Sequence, residues 1–183
     1  IFDIFAGQRL SFAKGAALSE KSDQHLYLND EYRAHLLIAW ADRLSDGSTL
    51  PLPLLDGAQQ AEAFGYNNDF IAYHSLPTQQ GLLRALLSIN HEYTSPSLMF
   101  PDVMKDKKST MSADQMKVEM ASVGHSVIEV KRNAPRGKAG RWEVQWNSPL
   151  QRRLHALGPI IEMKGPAAGH ARLKTQQDPS GTR

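Results

Sequence analysis

The sequence predicts a mainly β protein, and three observations carry that prediction. Apolar residues recur in short runs of strand length, and clusters of turn formers separate those runs in pairs as hairpin loops do. Only one segment, residues 112–123, carries a strong helix signal.

Residues 1–24 are polar and weakly periodic, with small residues at Ala13-Lys14-Gly15-Ala16-Ala17, and read as an irregular N-terminal extension ahead of a domain portion spanning 25–183. Strand patterns follow at 25–28 and 33–40, with Asn29-Asp30-Glu31 as the turn between them. Gly47, Pro51 and Pro53 make 46–56 a loop. A short helix is expected over 58–64, stopped by Gly65. Strands are expected at 70–75 and 83–89 around a hairpin loop at 77–81, and irregular chain at 93–108.

Ser112 with Gln115 three residues later is a capping box, and Met116, Met120 and Val123 give the helix that follows an apolar face, which places the methionines in the core. Alternation over 126–131 and 141–146, with Trp142, Val144 and Trp146 on one face, predicts a second hairpin. Its connection, 132–140, is basic and rich in turn formers, as a solvated loop is. No fixed-period repeat is evident, which does not exclude propeller blades.

Composition narrows the function classes. The 183 residues are 41% hydrophobic and 22% charged, a globular balance. A net charge of +2 makes no case for nucleic acid as a specific partner. The absence of cysteine removes disulfides, thiolate zinc sites and thiol catalysis. No run approaches the ~20 apolar residues of a membrane span. The start lacks both Met and the features of a signal peptide, and the end falls on a turn signal; both ends read as cuts, so a fragment is expected.

Three segments concentrate polar chemistry. In Gly65-Tyr66-Asn67-Asn68-Asp69-Phe70 the polar residues are ordinary turn formers, or, with Asp69, oxygen ligands for a hard cation such as Ca²⁺. Asn90-His91-Glu92-Tyr93-Thr94, leaving a strand, offers a carbonyl, an imidazole and a carboxylate suited to Ca²⁺ or iron, or else an exposed polar network. In Gly165-Pro166-Ala167-Ala168-Gly169-His170-Ala171-Arg172-Leu173-Lys174-Thr175 the small residues allow close backbone approach, and His170, Arg172 and Lys174 alternate as on a strand.

Taken in order with Val123-Gly124-His125-Ser126-Val127-Ile128-Glu129-Val130, these segments resemble the PhoX family of alkaline phosphatases over about residues 10–183. The resemblance implies part of a β-propeller with added short helices, in a monomeric phosphomonoesterase exported to the periplasm or beyond, commonly by the twin-arginine route. It implies small phosphate esters as substrates and Ca²⁺ and Fe³⁺ as cofactors. Glu92 matches the acidic residue of the family's Asn-His-Glu-Tyr motif and is the leading metal-ligand candidate, with Asn90, His91 and Asp69 beside it. His170 lies in a family motif without an assigned role. The family's cysteine ligand and most of its acidic ligands follow the last of these segments, so this chain alone is expected to be inactive. A non-catalytic calcium-binding propeller, or a small β-rich binding domain, is the alternative reading.

Overall fold

A computed structural model describes residues 34–54, 56–100, 103, 111–158, 163–174, 176 and 179. The extension expected over 1–24, the strand at 25–28 and the turn after it lie outside the described residues.

The framework is an antiparallel sheet. Strands β1 (Ile71–Gln79) and β2 (Leu82–His91) form a hairpin, and β3 (Gly124–Arg132) pairs with the other side of β2. Strands β4 (Trp142–Val144) and β5 (Arg152–His155) share the remaining edge of β3, β5 opposite Gly124–Val127 and β4 opposite Val130–Arg132. The β1–β2 loop is tighter than the expected 77–81. Only Gln80 (φ 53°) and Gly81 (φ 75°) turn, both left-handed, as a two-residue hairpin turn matched to strand twist requires. Pro77 lies inside β1, at a register irregularity on an edge strand, where a missing N–H is tolerated. The mainly β expectation holds. The five strands form one open sheet, and no closed propeller is present among the described residues.

Alternation along β2 and β3 decides what the sheet buries. Ala85, Leu87, Ile89 and His91 of β2 and Ser126, Ile128 and Val130 of β3 share the inner face. Leu44, Phe64 and Val144 complete that core, with Leu37, Ile38 and Trp142 packed against it. The chain at 35–39 is not the strand that 33–40 suggested. Leu37 and Ile38 use their apolar side chains against the sheet without joining its ladder, and the Ala39 N–H turns back to Asp42 Oδ2 at 2.8 Å.

Helix α1 (Gly57–Ala61) is capped by Asp56, which accepts from Ala58 N at 2.8 Å. It ends before the expected Phe64, because Ala63 bridges Arg43 and Phe64 N donates to Asp42 O at 2.8 Å. Gly65 is therefore not a helix stop. A Cβ there would fall 2.5 Å from the Ser122 carbonyl oxygen and closer still to the His91 ring, so glycine is needed for close approach.

A short helix that the sequence did not signal, α2 (Pro96–Met99), leads to a second core with Met99, Phe100 and Val118. Helix α3 (Ala113–Ser122) starts on the expected capping box, both of its hydrogen bonds present. Its inner face is Val118, Ala121 and Ser122, however, and the methionines expected in the core are exposed, Met116 by 48% and Met120 by 45%. The helix lies along α1 and β5, and that contact selects a narrow stripe of small side chains.

Arg153 of β5 ties these layers together. Its guanidinium donates to the carbonyls of Ala63 (2.9 Å), Ala121 (2.5 Å), Val123 (3.4 Å), His125 (3.4 Å) and Leu154. Two of those acceptors lie at the C-terminal end of α3, where carbonyls lack helical partners. Burial holds Arg153 down to about 10, still charged at neutral pH.

His91 lies under the end of β2, 2% exposed, its Nε2 2.7 Å from Ser126 Oγ and its ring edge-on to Phe64 at 4.7 Å. Burial, then Arg153 and His125, press its pKa to about 3.

Two predictions follow from the packing. Arg153→Met leaves several carbonyls without donors and should lower unfolding free energy by about 3 kcal/mol, with Arg153→Lys between it and the parent, as read by urea midpoints. The second concerns acid. A histidine whose folded pKa lies below its unfolded value of about 6.5 contributes stability that is complete above pH 6.5 and is lost as pH falls toward 3. His155 is shifted the same way by burial and Arg153, whereas Glu129, held below its ordinary range, contributes a loss only below about pH 4.5. Urea midpoints should therefore fall between pH 6.5 and 4.5, and His91→Gln should flatten that slope; an unchanged slope would assign the acid sensitivity elsewhere.

Candidate functional site

Two of the three polar segments meet. The chain from Gly65 to Phe70 runs against the end of β2, stitched there by main-chain bonds: Tyr66 N to Ser122 O (3.0 Å), Asn90 N to Phe70 O (3.3 Å) and Glu92 N to Asn67 O (3.1 Å). Asn67 takes the left-handed conformation (φ 46°) that asparagine tolerates, which turns the loop back toward the strand. Asn90 then accepts from Phe70 N through Oδ1 (2.9 Å) and donates through Nδ2 to Asp69 Oδ1.

Asp69 and Glu92 are exposed and lie side by side. The Asn90 amide, ahead of the contact with Glu92, holds the Asp69 carboxyl below its ordinary range. Glu92 is pushed up by its hydrogen bond to Asp69 and then by that group's charge. The two carboxyls are thus shifted in opposite directions, Glu92 up and Asp69 down, as neighbouring acids are. The two carboxylates offer hard oxygen donors, the chemistry that Ca²⁺ and Fe³⁺ take, whereas the Asn90 oxygen is turned to the Phe70 N–H and its amide nitrogen to Asp69. Among the described residues no three His, Cys, Asp or Glu side chains cluster closely enough to hold a metal by themselves.

His91 is not brought into this cluster. Strand alternation sends it to the inner face, beneath the carboxylates, where it is neutral above the acid range. Two residues to which the sequence assigned no role do face the same way as Asn90. His125 is directly opposite Asn90 in the β2–β3 register, and Ser88 lies two residues back along β2. Ser88 Oγ and His125 Nε2 are 2.7 Å apart. The signal was present in the alternation of both strands, but it needs the register to be read.

The third segment differs from its expected form. Its expected strand is a 3₁₀ turn, Ala171–Leu173, opened by His170 Nδ1 accepting from Arg172 N at 3.1 Å. Gly165 and Gly169 serve positive φ rather than close approach, since nothing lies within 4 Å of a Cβ at either. In the basic connection Arg136 and Lys138 are exposed as expected. Arg132 is not: its guanidinium is buried and donates to the carbonyls of Ala134, Pro135, Lys138 and Gly140, fixing the loop from inside.

Comparison with known proteins accords with these features. The family described as alkaline phosphatase PhoX matches residues 13–183. No curated protein matches the chain. A solved structure, Pseudomonas fluorescens PhoX in complex with vanadate, a transition state analogue, is similar with a TM-score of 0.67 and 32% sequence identity. The similarity covers 85% of this chain and 25% of that one, so the chain spans about a quarter of the length of that relative. On the extent of the family match, this chain belongs to the PhoX alkaline phosphatase family.

Proposed function

We propose that this chain is the N-terminal portion of a metal-dependent alkaline phosphatase, which hydrolyses phosphomonoesters and releases inorganic phosphate. The observation that carries this reading is the Asp69–Asn90–Glu92 cluster, built by two segments that meet at a strand end in a chain of the PhoX family. The open sheet is read as one blade of a larger propeller. Export to the periplasm or beyond and action as a monomer belong to the same reading.

The overall reaction places a water oxygen on phosphorus, breaks the ester P–O bond and passes a water proton to the departing alkoxide. Asp69 and Glu92 would hold Ca²⁺ or Fe³⁺ as part of its ligand set. When bound, such cations neutralise phosphate oxygens and stabilise the leaving alkoxide. Asn90 orients Asp69 through its amide, and the Phe70 N–H fixes which end of that amide points at the carboxylate. His91 and Ser126 pack beneath and keep the strand end rigid, so the carboxylates are aimed before any ligand arrives.

The test is p-nitrophenyl phosphate turnover by the full-length protein at alkaline pH with Ca²⁺ and Fe³⁺ supplied. Turnover should vanish with a chelator and return with metal. Glu92→Gln and Asp69→Asn should each lower it about a hundredfold while the fold survives. A folded, metal-supplied protein without turnover would leave the proposal without support.

A further inference from the structure

We propose that Ser88 and His125 form an anion-binding arm beside the carboxylates, taking one oxygen of the phosphate group. This rests on the phosphatase reading for its ligand but on separate residues for its geometry.

The register places these groups. Asn90 and His125 are directly opposed across β2 and β3, so their Cβ atoms lie about 5 Å apart on one face of the sheet. Ser88 follows on the same face of β2, with its hydroxyl 2.7 Å from His125 Nε2. Asp69 joins through Asn90 and Glu92 through Asp69. A polar strip thus runs from Glu92 to Ser88, with acceptor carboxylates at one end and a hydroxyl and an imidazole at the other.

The hydrogen-bond inventory of the pair gives it a ligand. A neutral imidazole has one N–H and one bare nitrogen, and a hydroxyl has one O–H. Their mutual bond uses a single donor. If the serine O–H points to Nε2, the donor left over is the Nδ1–H; if Nε2–H points to serine, the free donor is the O–H. Either arrangement leaves one donor for an outside acceptor, and both residues are only half-buried. The carboxylates next to it repel an anion unless a cation neutralises them. The arm therefore suits an anion that arrives on a cation, and tetrahedral phosphate has oxygens for both.

The buried counterpart shows the contrast. His91 and Ser126 make the same diagonal contact across the same two strands at 2.7 Å, but on the inner face, with His91 2% and Ser126 0% exposed. That pair is sealed; the Ser88–His125 pair is reachable.

Calorimetric titration of inorganic phosphate into the full-length protein with Ca²⁺ tests this without turnover. Ser88→Ala and His125→Asn should each weaken phosphate binding about tenfold or more and raise KM more than they lower kcat. Ser88→Thr, which keeps the hydroxyl, should restore affinity, and Ca²⁺ binding should stay at the parent level in all three. Phosphate affinity within twofold of the parent in Ser88→Ala and His125→Asn would overturn the arm, even if Glu92→Gln abolishes turnover. Loss of Ca²⁺ binding together with phosphate in Ser88→Ala would also overturn it, since the residue would then be supporting the cation. Phosphate bound through the arm by a protein without turnover would support this inference while defeating the enzyme reading.

Discussion

The arrangement depends first on one buried guanidinium. A charge taken out of water needs dipoles around it, and Arg153 finds them in the carbonyls of Ala63, Ala121, Val123, His125 and Leu154 rather than in a carboxylate. Those acceptors belong to the chain after α1, the end of α3, and strands β3 and β5, so one planar donor fixes the spacing of four pieces of chain. The same charge lies close enough to His91 to oppose its protonation. Removing it would free the Ser122 end of α3, on whose carbonyl the Tyr66 N–H rests, and the loop carrying Asp69 begins there. The site is thus anchored by a residue that does not touch it.

Gly65 is the second constraint. The His91 ring and the Ser122 carbonyl occupy the space a side chain would need, and the edge-on contact of Phe64 with His91 is possible because the backbone comes so near. Read in sequence, Gly65 after a run of Ala and Phe is a helix stop, and nothing local distinguishes the two roles. The difference arises from a residue 26 positions away, which is why propensity alone misassigns it.

Local signals were legible where the cause is local. Ser112 and Gln115 cap a helix through bonds made within one turn, and a hairpin loop was expected at 77–81, where the turn itself is Gln80–Gly81 with glycine free at positive φ. The segments of Asp69 and of Asn90 and Glu92 stood out for polar density, and the structure joins them. What failed needed tertiary information. Met116 and Met120 share a stripe, yet α3 turns its smaller residues inward because α1 approaches closely. Strand β5 reads as Arg-Arg-Leu-His, with no apolar alternation, since its place is set by pairing with β3 and by Arg153. Leu37 and Ile38 were apolar for the core and not for a ladder.

The register of β2 on β3 is where fold and site become the same question. Side chains alternate with period two, so a slip of one residue would turn Ser88 and Asn90 inward, away from Asp69, and His91 outward. What prevents the slip is the apolar set Ala85, Leu87 and Ile89 against Ile128 and Val130, which has no equivalent on the outer face, where Arg84 and Glu129 pair at 2.5 Å. The two Ser–His diagonals, one on each face, reinforce the same alignment by hydrogen bonds that exist in only one register. Burial of these five aliphatic side chains therefore aims a carboxamide, an imidazole and a hydroxyl at one surface. The cluster at Asp69 and Glu92 is a consequence of that choice, because the Asn90 side chain is what holds Asp69 to the strand.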